Sequence, residues 1–274
     1  QLLGNLDRWR EAVAQFRAAA GLKSDLAEAR YYLGVSLVQA GETDAGVSEL
    51  EKVAGMKGRE VDSWIRIARA RAGRGDLKGA RTAIEAALKL APGNAEALVE
   101  RGDAWRREKK HDLALADFER AIALDPKNAE AHLARGQALL EPQATRGEAA
   151  ADPAVARREM ERSRAALAAF TRALEIKADL PEAYEGAGSA CMQEWDYARG
   201  SVEKAARVQA AIQHFEHAVR YFPERPSGHV SLIRALHEGG RVEESAAAMH
   251  RARKRWPADP RLQKRLPPAE GGDG

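Results

Sequence analysis

The chain has 274 residues, of which 45% are hydrophobic and 31% are charged, a balance that excludes disorder throughout. Lysine and arginine number 44 against 41 acidic residues, and the net charge of +3 is too small for a dedicated nucleic-acid binder. No apolar run approaches the roughly 20 residues that span a bilayer, and the single cysteine, Cys191, excludes an intrachain disulfide and a cysteine-rich zinc site.

The first segment, residues 1–26, predicts one helix with its apolar residues at helical spacing. These residues are Trp9, Ala12, Phe16 and Ala19. The segment is expected to be the second helix of a repeat whose first helix is mostly missing. Because the sequence begins with Gln1 rather than methionine, we expect it to be a piece of a longer protein.

Residues that follow this segment repeat with a period of 34. A small residue recurs at this spacing, at Gly34, Ala68, Gly102 and Gly136. A bulky apolar residue recurs in the same register, at Leu50, Ile84 and Phe118. A small residue on one helix and a bulky one on the next let two antiparallel helices pack closely, so each period predicts one helix pair.

The stretch 95–128 resembles a complete tetratricopeptide repeat, and the period of 34 is that of this family. The resemblance is carried by Leu98, Gly102, Trp105, Ala114, Phe118, Ala121 and Pro126. It extends over almost the whole chain and implies an all-α fold, an α-solenoid of antiparallel helix pairs wound into a right-handed superhelix. The expected repeats are 27–60, 61–94, 95–128, 129–180, 181–224 and 225–258, after the partial repeat at 1–26.

The repeats at 129–180 and 181–224 are longer than the period, through insertions at 142–162 and near 194–204. Pro142 should end a helix, and Asp152 followed by Pro153 predicts a new helix that runs to about Ile176. A second long helix is expected from Ser201 to Tyr221. The insertions are either tolerated loop growth or a projecting helical pair that forms a second docking surface.

The end of the chain, residues 259–274, predicts a short cap and a disordered tail. Residues Ala258 to Leu266 could form a polar helix that covers the last apolar face, as solenoids require. The segment from Pro267 to Gly274 is expected to be disordered.

In the tetratricopeptide family, the first helix of each repeat lines a concave groove that holds the partner. The residues here that match the family's contact positions are Arg66, Arg69, Asp103, Arg106, Arg107 and Gln137. The asparagine pair of members that clamp chaperone tails is absent. Arginine binds carboxylates through paired hydrogen bonds, so an acidic peptide or helix would suit Arg66, Arg69 and Arg106. The alternative is a solvated face with internal ion pairs.

No residue pattern predicts catalysis, a metal site or a cofactor. His214 and His217 are one helical turn apart, but no Cys cluster or H-E-x-x-H helix accompanies them. Cys191 is expected in the core. Aromatic residues at repeat positions are also expected in the core rather than exposed for stacking on nucleic acid. They are Trp64, Trp105, Phe118, Phe170, Tyr184 and Phe215.

The resemblance therefore implies a non-catalytic scaffold or adaptor that binds a protein or peptide in its groove. One alternative is a regulatory or substrate-recruiting segment of a larger enzyme whose catalytic domain is outside this chain. Another is a structural protein that self-associates through its repeats. A reducing cytoplasm suits a chain with one cysteine, and a periplasmic location stays open.

Overall fold

The computed structural model describes residues 2–22, 26–141, 143, 148, 151–198 and 200–263, and the regular structure in them is entirely helical. The helices are α1 (Leu2–Leu22), α2 (Ala27–Gln39), α3 (Thr43–Ala54), α4 (Glu60–Gly73), α5 (Leu77–Leu90), α6 (Ala95–Arg107), α7 (His111–Leu124), α8 (Ala129–Leu140), α9 (Pro153–Ile176), α10 (Pro181–Tyr197), α11 (Ser201–Tyr221), α12 (Pro226–Glu238), α13 (Val242–Arg255) and α14 (Pro260–Gln263). Consecutive helices pack in pairs, so the predicted α-solenoid class is confirmed. The chain forms two compact units, Gln1–Pro126 and Lys127–Gly274.

In the first unit, the same kind of turn joins the two helices of each pair, and it recurs at the 34-residue period of the sequence. Gly41, Gly75 and Lys109 adopt left-handed φ values of 90°, 82° and 62°. The backbone N–H after each of them donates to a carbonyl in the last helical turn, as Asp76 does to Arg71 at 3.0 Å. Glycine adopts this conformation without strain, whereas a lysine does so at some cost in free energy.

Side-chain caps fix where several helices of the first unit begin. The side chain of Asp76 accepts a hydrogen bond from the backbone N–H of Gly79 at 2.8 Å, at the start of α5. Asn94 accepts one from Ala97 at 2.8 Å, at the start of α6. Each cap satisfies a backbone donor that has no partner inside its own helix.

The small residues of the repeat lie where two helices come closest. In the first unit, Gly102 of α6 lies against the ring of Phe118 of α7, and Phe118 is fully buried. In the second unit, Gly136 and Gly188 contact the buried rings of Phe170 and Phe215 in the same manner. The close-packed pairs expected from the spacing are therefore present in both units.

Helix α1 packs on α2 through one apolar face. Val13 and Ala20 are buried against Ala29 and Leu33 of α2, and Phe16 packs at the edge of this cluster. Trp9, one of the residues that identified this helix, is 37% exposed.

In the second unit, α9 spans Pro153–Ile176 and α11 spans Ser201–Tyr221, the bounds predicted from the sequence. The Asp152 side chain accepts a hydrogen bond from the backbone N–H of Ala154 at 2.8 Å, as expected of an N-cap. Helix α8 ends at Leu140, and Pro142 lies outside the described residues.

In the second unit α10 is lengthened, as are its neighbours α9 and α11, and residues near the end of α10 are packed against α11. Trp195 and Val208 extend the core between α10 and α11. Glu194 of α10 is 1% exposed, and its Oε2 lies 3.1 Å from the Nε atoms of both Arg164 and Arg207. A buried carboxylate needs such partners, so the three helices are tied together at this point. Most of the described residues of both insertions are helical, at 153–162 in α9, 194–197 in α10 and 201–204 in α11.

The last pair of helices, α12 and α13, is followed by the short helix α14. Leu262 of α14 is buried against Ile233 and Met249, as expected of a cap over the last apolar face. Within the described residues this helix spans Pro260–Gln263, so it begins two residues after the predicted start at Ala258. Residues 264–266 of the predicted cap, and the tail, lie outside the described residues.

Candidate interaction surface

The first helices of the repeats in the first unit, α2, α4 and α6, lie side by side, and we call the surface that they form the first-helix surface. It contains a cleft of about 400 Å³, named here the tyrosine cleft. The cleft is lined by Tyr31, Tyr32, Val35, Arg59, Asp62, Ile65, Arg66 and Glu96. Five of the six predicted site residues lie on α4 and α6 of this unit.

Arg59 holds one wall of the tyrosine cleft in place. Its guanidinium lies 5.0 Å from the centre of the Tyr31 ring and forms ion pairs with Glu28 at 2.5 Å and with Asp62 at 2.9 Å. The hydrogen bonds that Arg59 donates to these two carboxylates raise its pKa. Tyr31 is buried and Tyr32 is 39% exposed, so the second ring is the accessible one.

Arg66 is the predicted site residue that is most available to a partner. Its side chain is exposed, and its Nε donates a hydrogen bond to the Tyr31 hydroxyl at 3.2 Å. In the part of the chain that the structure describes, no carboxylate lies within ion-pair distance of Arg66. The two terminal nitrogens of the guanidinium are the groups that a carboxylate binds end-on.

Arg69, by contrast, is engaged within the protein. It forms ion pairs with Glu100 and, at 3.0 Å, with Glu96, both on α6. Burial raises the pKa of Glu100, and the opposing effect of Arg69 does not fully offset it. Arg69 therefore fits the alternative expected from the sequence, in which the charged residues form ion pairs within the protein.

The predicted residues on α6 are engaged as well. Arg106 lies 3.2 Å from the carboxylate of Asp103, one turn away on the same helix. Arg107 donates a hydrogen bond to the backbone carbonyl of Ala72 at 3.1 Å, near the end of α4. The first contact lies within α6, and the second joins α6 to α4.

Gln137 lies on α8 in the second unit and is half-buried. That unit has its own cleft of about 240 Å³ between α10 and α12, which sequence reasoning did not single out. The cleft is lined by Leu140, Ser189, Met192, Gln193, Asp196, Phe215, Ser231 and Arg234.

A second and smaller cleft of the first unit, of about 150 Å³, adjoins the tyrosine cleft and is named here the valine cleft. It is lined by Val35, Val38, Gln39, Leu50, Arg66, Arg69 and Ala70. Val35 and Arg66 line both clefts, so the Arg66 side chain stands between a polar cleft and a more apolar one.

Tyr31 and Tyr32 were not predicted as site residues. Their signal is the adjacent pair of aromatic side chains at consecutive positions of α2, since neighbouring residues on a helix cannot both face the same core. The first ring is therefore buried in the repeat, whereas the second is left at the surface and stacks on Phe16 with a centroid distance of 5.4 Å.

The other candidates take structural positions. Cys191 is fully buried, and burial raises the pKa of its thiol to about 11. His217 stacks on Tyr184 and Tyr221, and no group of three or more potential metal ligands occurs in the described part of the chain. No helix within the same residues is long and apolar enough to cross a membrane.

The aromatic residues that were expected in the core divide into two groups. The three phenylalanines, Phe118, Phe170 and Phe215, are buried as predicted. Trp64, Trp105 and Tyr184 are half-buried. The Trp105 ring has the Lys110 ammonium 4.5 Å from its centre.

Comparison with known proteins gives one family. The sequence matches the model described as tetratricopeptide repeat over residues 1–57, 65–129, 110–157 and 201–260. No curated protein matches it. Among solved structures, Pseudomonas aeruginosa pilF has a TM-score of 0.65 at 16% identity, covering 86% of this chain and 95% of its own.

Two further solved structures have the same fold. Cut9–Hcn1, described as an APC/C hetero-tetramer, has a TM-score of 0.65 at 16% identity, covering 84% of this chain and 40% of that one. YrrB, described as a TPR protein with an unusual peptide-binding site, has a TM-score of 0.53 at 16% identity. The match covers 78% of this chain and 95% of YrrB. Identities this low show the fold alone.

Proposed function

The chain belongs to the tetratricopeptide repeat family of protein-interaction scaffolds, and we propose that it binds a peptide segment of a protein partner on the first-helix surface of its first unit. The observation that carries this proposal is Arg66. It is an exposed cation without a carboxylate partner among the described residues, placed between two clefts. The module acts by binding and not by catalysis.

Electrostatics favour an acidic partner at this position. Arg59 and Arg69 are held by carboxylates of the protein itself, whereas among the described residues Arg66 is bonded only to a neutral hydroxyl. A hydrogen bond between charged groups contributes roughly 1.5–3 kcal/mol when the site is shielded from water. The walls of the two clefts supply part of that shielding.

The shape of the surface favours a peptide over a folded domain. Two adjoining clefts of about 400 and 150 Å³ accept single side chains rather than a flat protein face. YrrB, whose fold is similar, is described as having a peptide-binding site, which supports the capacity of this architecture to hold a peptide.

Affinity capture from a lysate of the source cell, followed by quantitative mass spectrometry, tests the proposal. Three baits are compared: the wild type, the double variant Tyr32→Glu with Arg66→Glu, and Lys89→Glu as a charge-reversal control at an exposed position of α5. A partner retained by the wild type and by Lys89→Glu, and lost by the double variant, supports the proposal. Equal capture by all three baits, with unchanged circular dichroism, contradicts it.

A further inference from the structure

The side chain of Arg66 divides the tyrosine cleft from the valine cleft, and this arrangement suggests which peptide is selected. We propose that the two clefts together recognise an acidic side chain and an apolar side chain, two residues apart, in an extended segment of the partner. This inference rests on the proposed function and specifies its ligand.

The position of Arg66 in the tyrosine cleft favours the acidic side chain. Two carboxylates also line this cleft, but Asp62 is paired with Arg59 and Glu96 is paired with Arg69. Each of these arginines also pairs with a second carboxylate, Arg59 with Glu28 and Arg69 with Glu100, so the two arginines do not neutralise the four carboxylates around them. An acidic ligand group is therefore favoured only where it reaches Arg66 itself. Arg66 is left as the cation that faces an incoming ligand, and its hydrogen bond to Tyr31 fixes the direction of the guanidinium.

The lining of the valine cleft favours the apolar side chain. Val35, Val38, Leu50 and Ala70 form its walls, with polar atoms at Gln39 and at the two arginines. Its volume of about 150 Å³ is similar to that of an enclosed engineered cavity that holds benzene, although this cleft is open to solvent on one side. A side chain between leucine and phenylalanine in size therefore fits this cleft.

The shared wall determines the spacing between the two side chains. Because Val35 and Arg66 line both clefts, the two ligand side chains must lie on either side of a single arginine. In an extended peptide, residues i and i+2 point to the same side and are separated by about 6.5–7 Å. Adjacent residues point to opposite sides, so a spacing of two is the one that places both side chains in the clefts.

A displayed library of random nine-residue peptides, held internally between flanking sequences, tests this inference. The library is selected on the wild-type chain, on Arg66→Gln, on Ala70→Leu, which fills the valine cleft, and on Lys89→Gln as the control. The wild type and the control should enrich acidic and apolar residues two positions apart. Arg66→Gln should lose only the acidic preference, and Ala70→Leu only the apolar one.

Affinities of one enriched peptide then give the size of each effect. Arg66→Gln should weaken binding by about 10- to 100-fold, the factor that corresponds to one charged hydrogen-bonded contact. If Ala70→Leu alters the circular dichroism spectrum, Val38→Phe fills the same cleft from α2.

The outcomes separate this inference from the proposed function. One outcome is a set of enriched peptides that lack the acidic and apolar pair and still cross-link to a photoreactive residue placed at Tyr32. Such peptides overturn the inference and leave standing the proposal that the first-helix surface binds a peptide. A parallel library displays the same peptides with a free C-terminus. If only peptides with a free C-terminal carboxylate are enriched, the inference is also overturned. A wild-type chain that enriches no peptide overturns both.

Discussion

Replacing Gly102 by alanine should destabilise the first unit, because a Cβ atom at this position has no space. It would lie 2.4 Å from Cε1 of Phe118, and 2.8 and 2.9 Å from Cδ1 and Cζ. Ordinary carbon contacts are about 3.5–4.0 Å, so the helices or the ring must shift by about 1 Å. The ring is fully buried and tightly packed, so the shift disturbs its other neighbours.

Two effects of opposite sign determine the magnitude for Gly102→Ala. Overpacking in a core destabilises by about 1–3 kcal/mol, and this contact is short enough for the upper part of that range. Alanine favours the helix over glycine by about 0.8–1.0 kcal/mol. The net loss in the free energy of unfolding should therefore be about 1–2 kcal/mol.

Urea unfolding followed by circular dichroism measures this loss, with Gly73→Ala as the control. No atom lies within 4 Å of a Cβ built at Gly73, so that variant should be as stable as the wild type or slightly more stable. Adding Phe118→Leu to Gly102→Ala should show a favourable coupling of about 1 kcal/mol, because the smaller side chain relieves the clash. Equal stability of the two alanine variants would refute the packing argument.

Three further predictions concern single side chains. Arg69→Met leaves the partly buried carboxyl of Glu100 without its main partner, so the pKa of Glu100 in the folded state should rise further above the unfolded value. The variant should lose about 1–2 kcal/mol near neutral pH, and the loss should vanish below about pH 4, where the carboxyl is protonated in both states; urea unfolding over a pH series tests this. Lys109→Gly should raise the free energy of unfolding by about 0.5–1 kcal/mol in the same assay, since φ is 62° at this position, and no gain would show that the lysine is unstrained. Cys191 should react with a disulfide reagent far more slowly in the native chain than in urea, because the thiol is buried and its pKa is raised to about 11; equal rates would contradict its core position.

The repeat architecture could be predicted because its determinants are local or periodic. The 34-residue spacing of small residues such as Gly102 predicts the closest approach of two helices, and the structure has it there. The start of α9 could be predicted because Asp152 and Pro153 are adjacent signals of one helix terminus. The lengthening of α10 and its ion pairs with α9 and α11 could not, since they depend on side chains that meet only after folding.

The candidate site could be predicted only in part. The contact positions of the family include both Arg66 and Arg69. In the structure Arg66 is exposed and has no carboxylate partner among the described residues, whereas Arg69 is held by Glu100. That difference depends on a residue 31 positions away on another helix. The tyrosine cleft escaped prediction because Tyr31 and Tyr32 suggest core packing when they are considered one at a time.

Site-specific photo-cross-linking tests the central claim most directly. A photoreactive phenylalanine analogue is placed at Tyr32, within the tyrosine cleft, and in a separate chain at Lys89, an exposed position of α5. Irradiation in a lysate of the source cell should give a discrete adduct to one partner peptide from position 32 and none from position 89, and Arg66→Glu should abolish the adduct. An adduct from position 89 alone, or one that persists undiminished with Arg66→Glu, would contradict recognition at the first-helix surface.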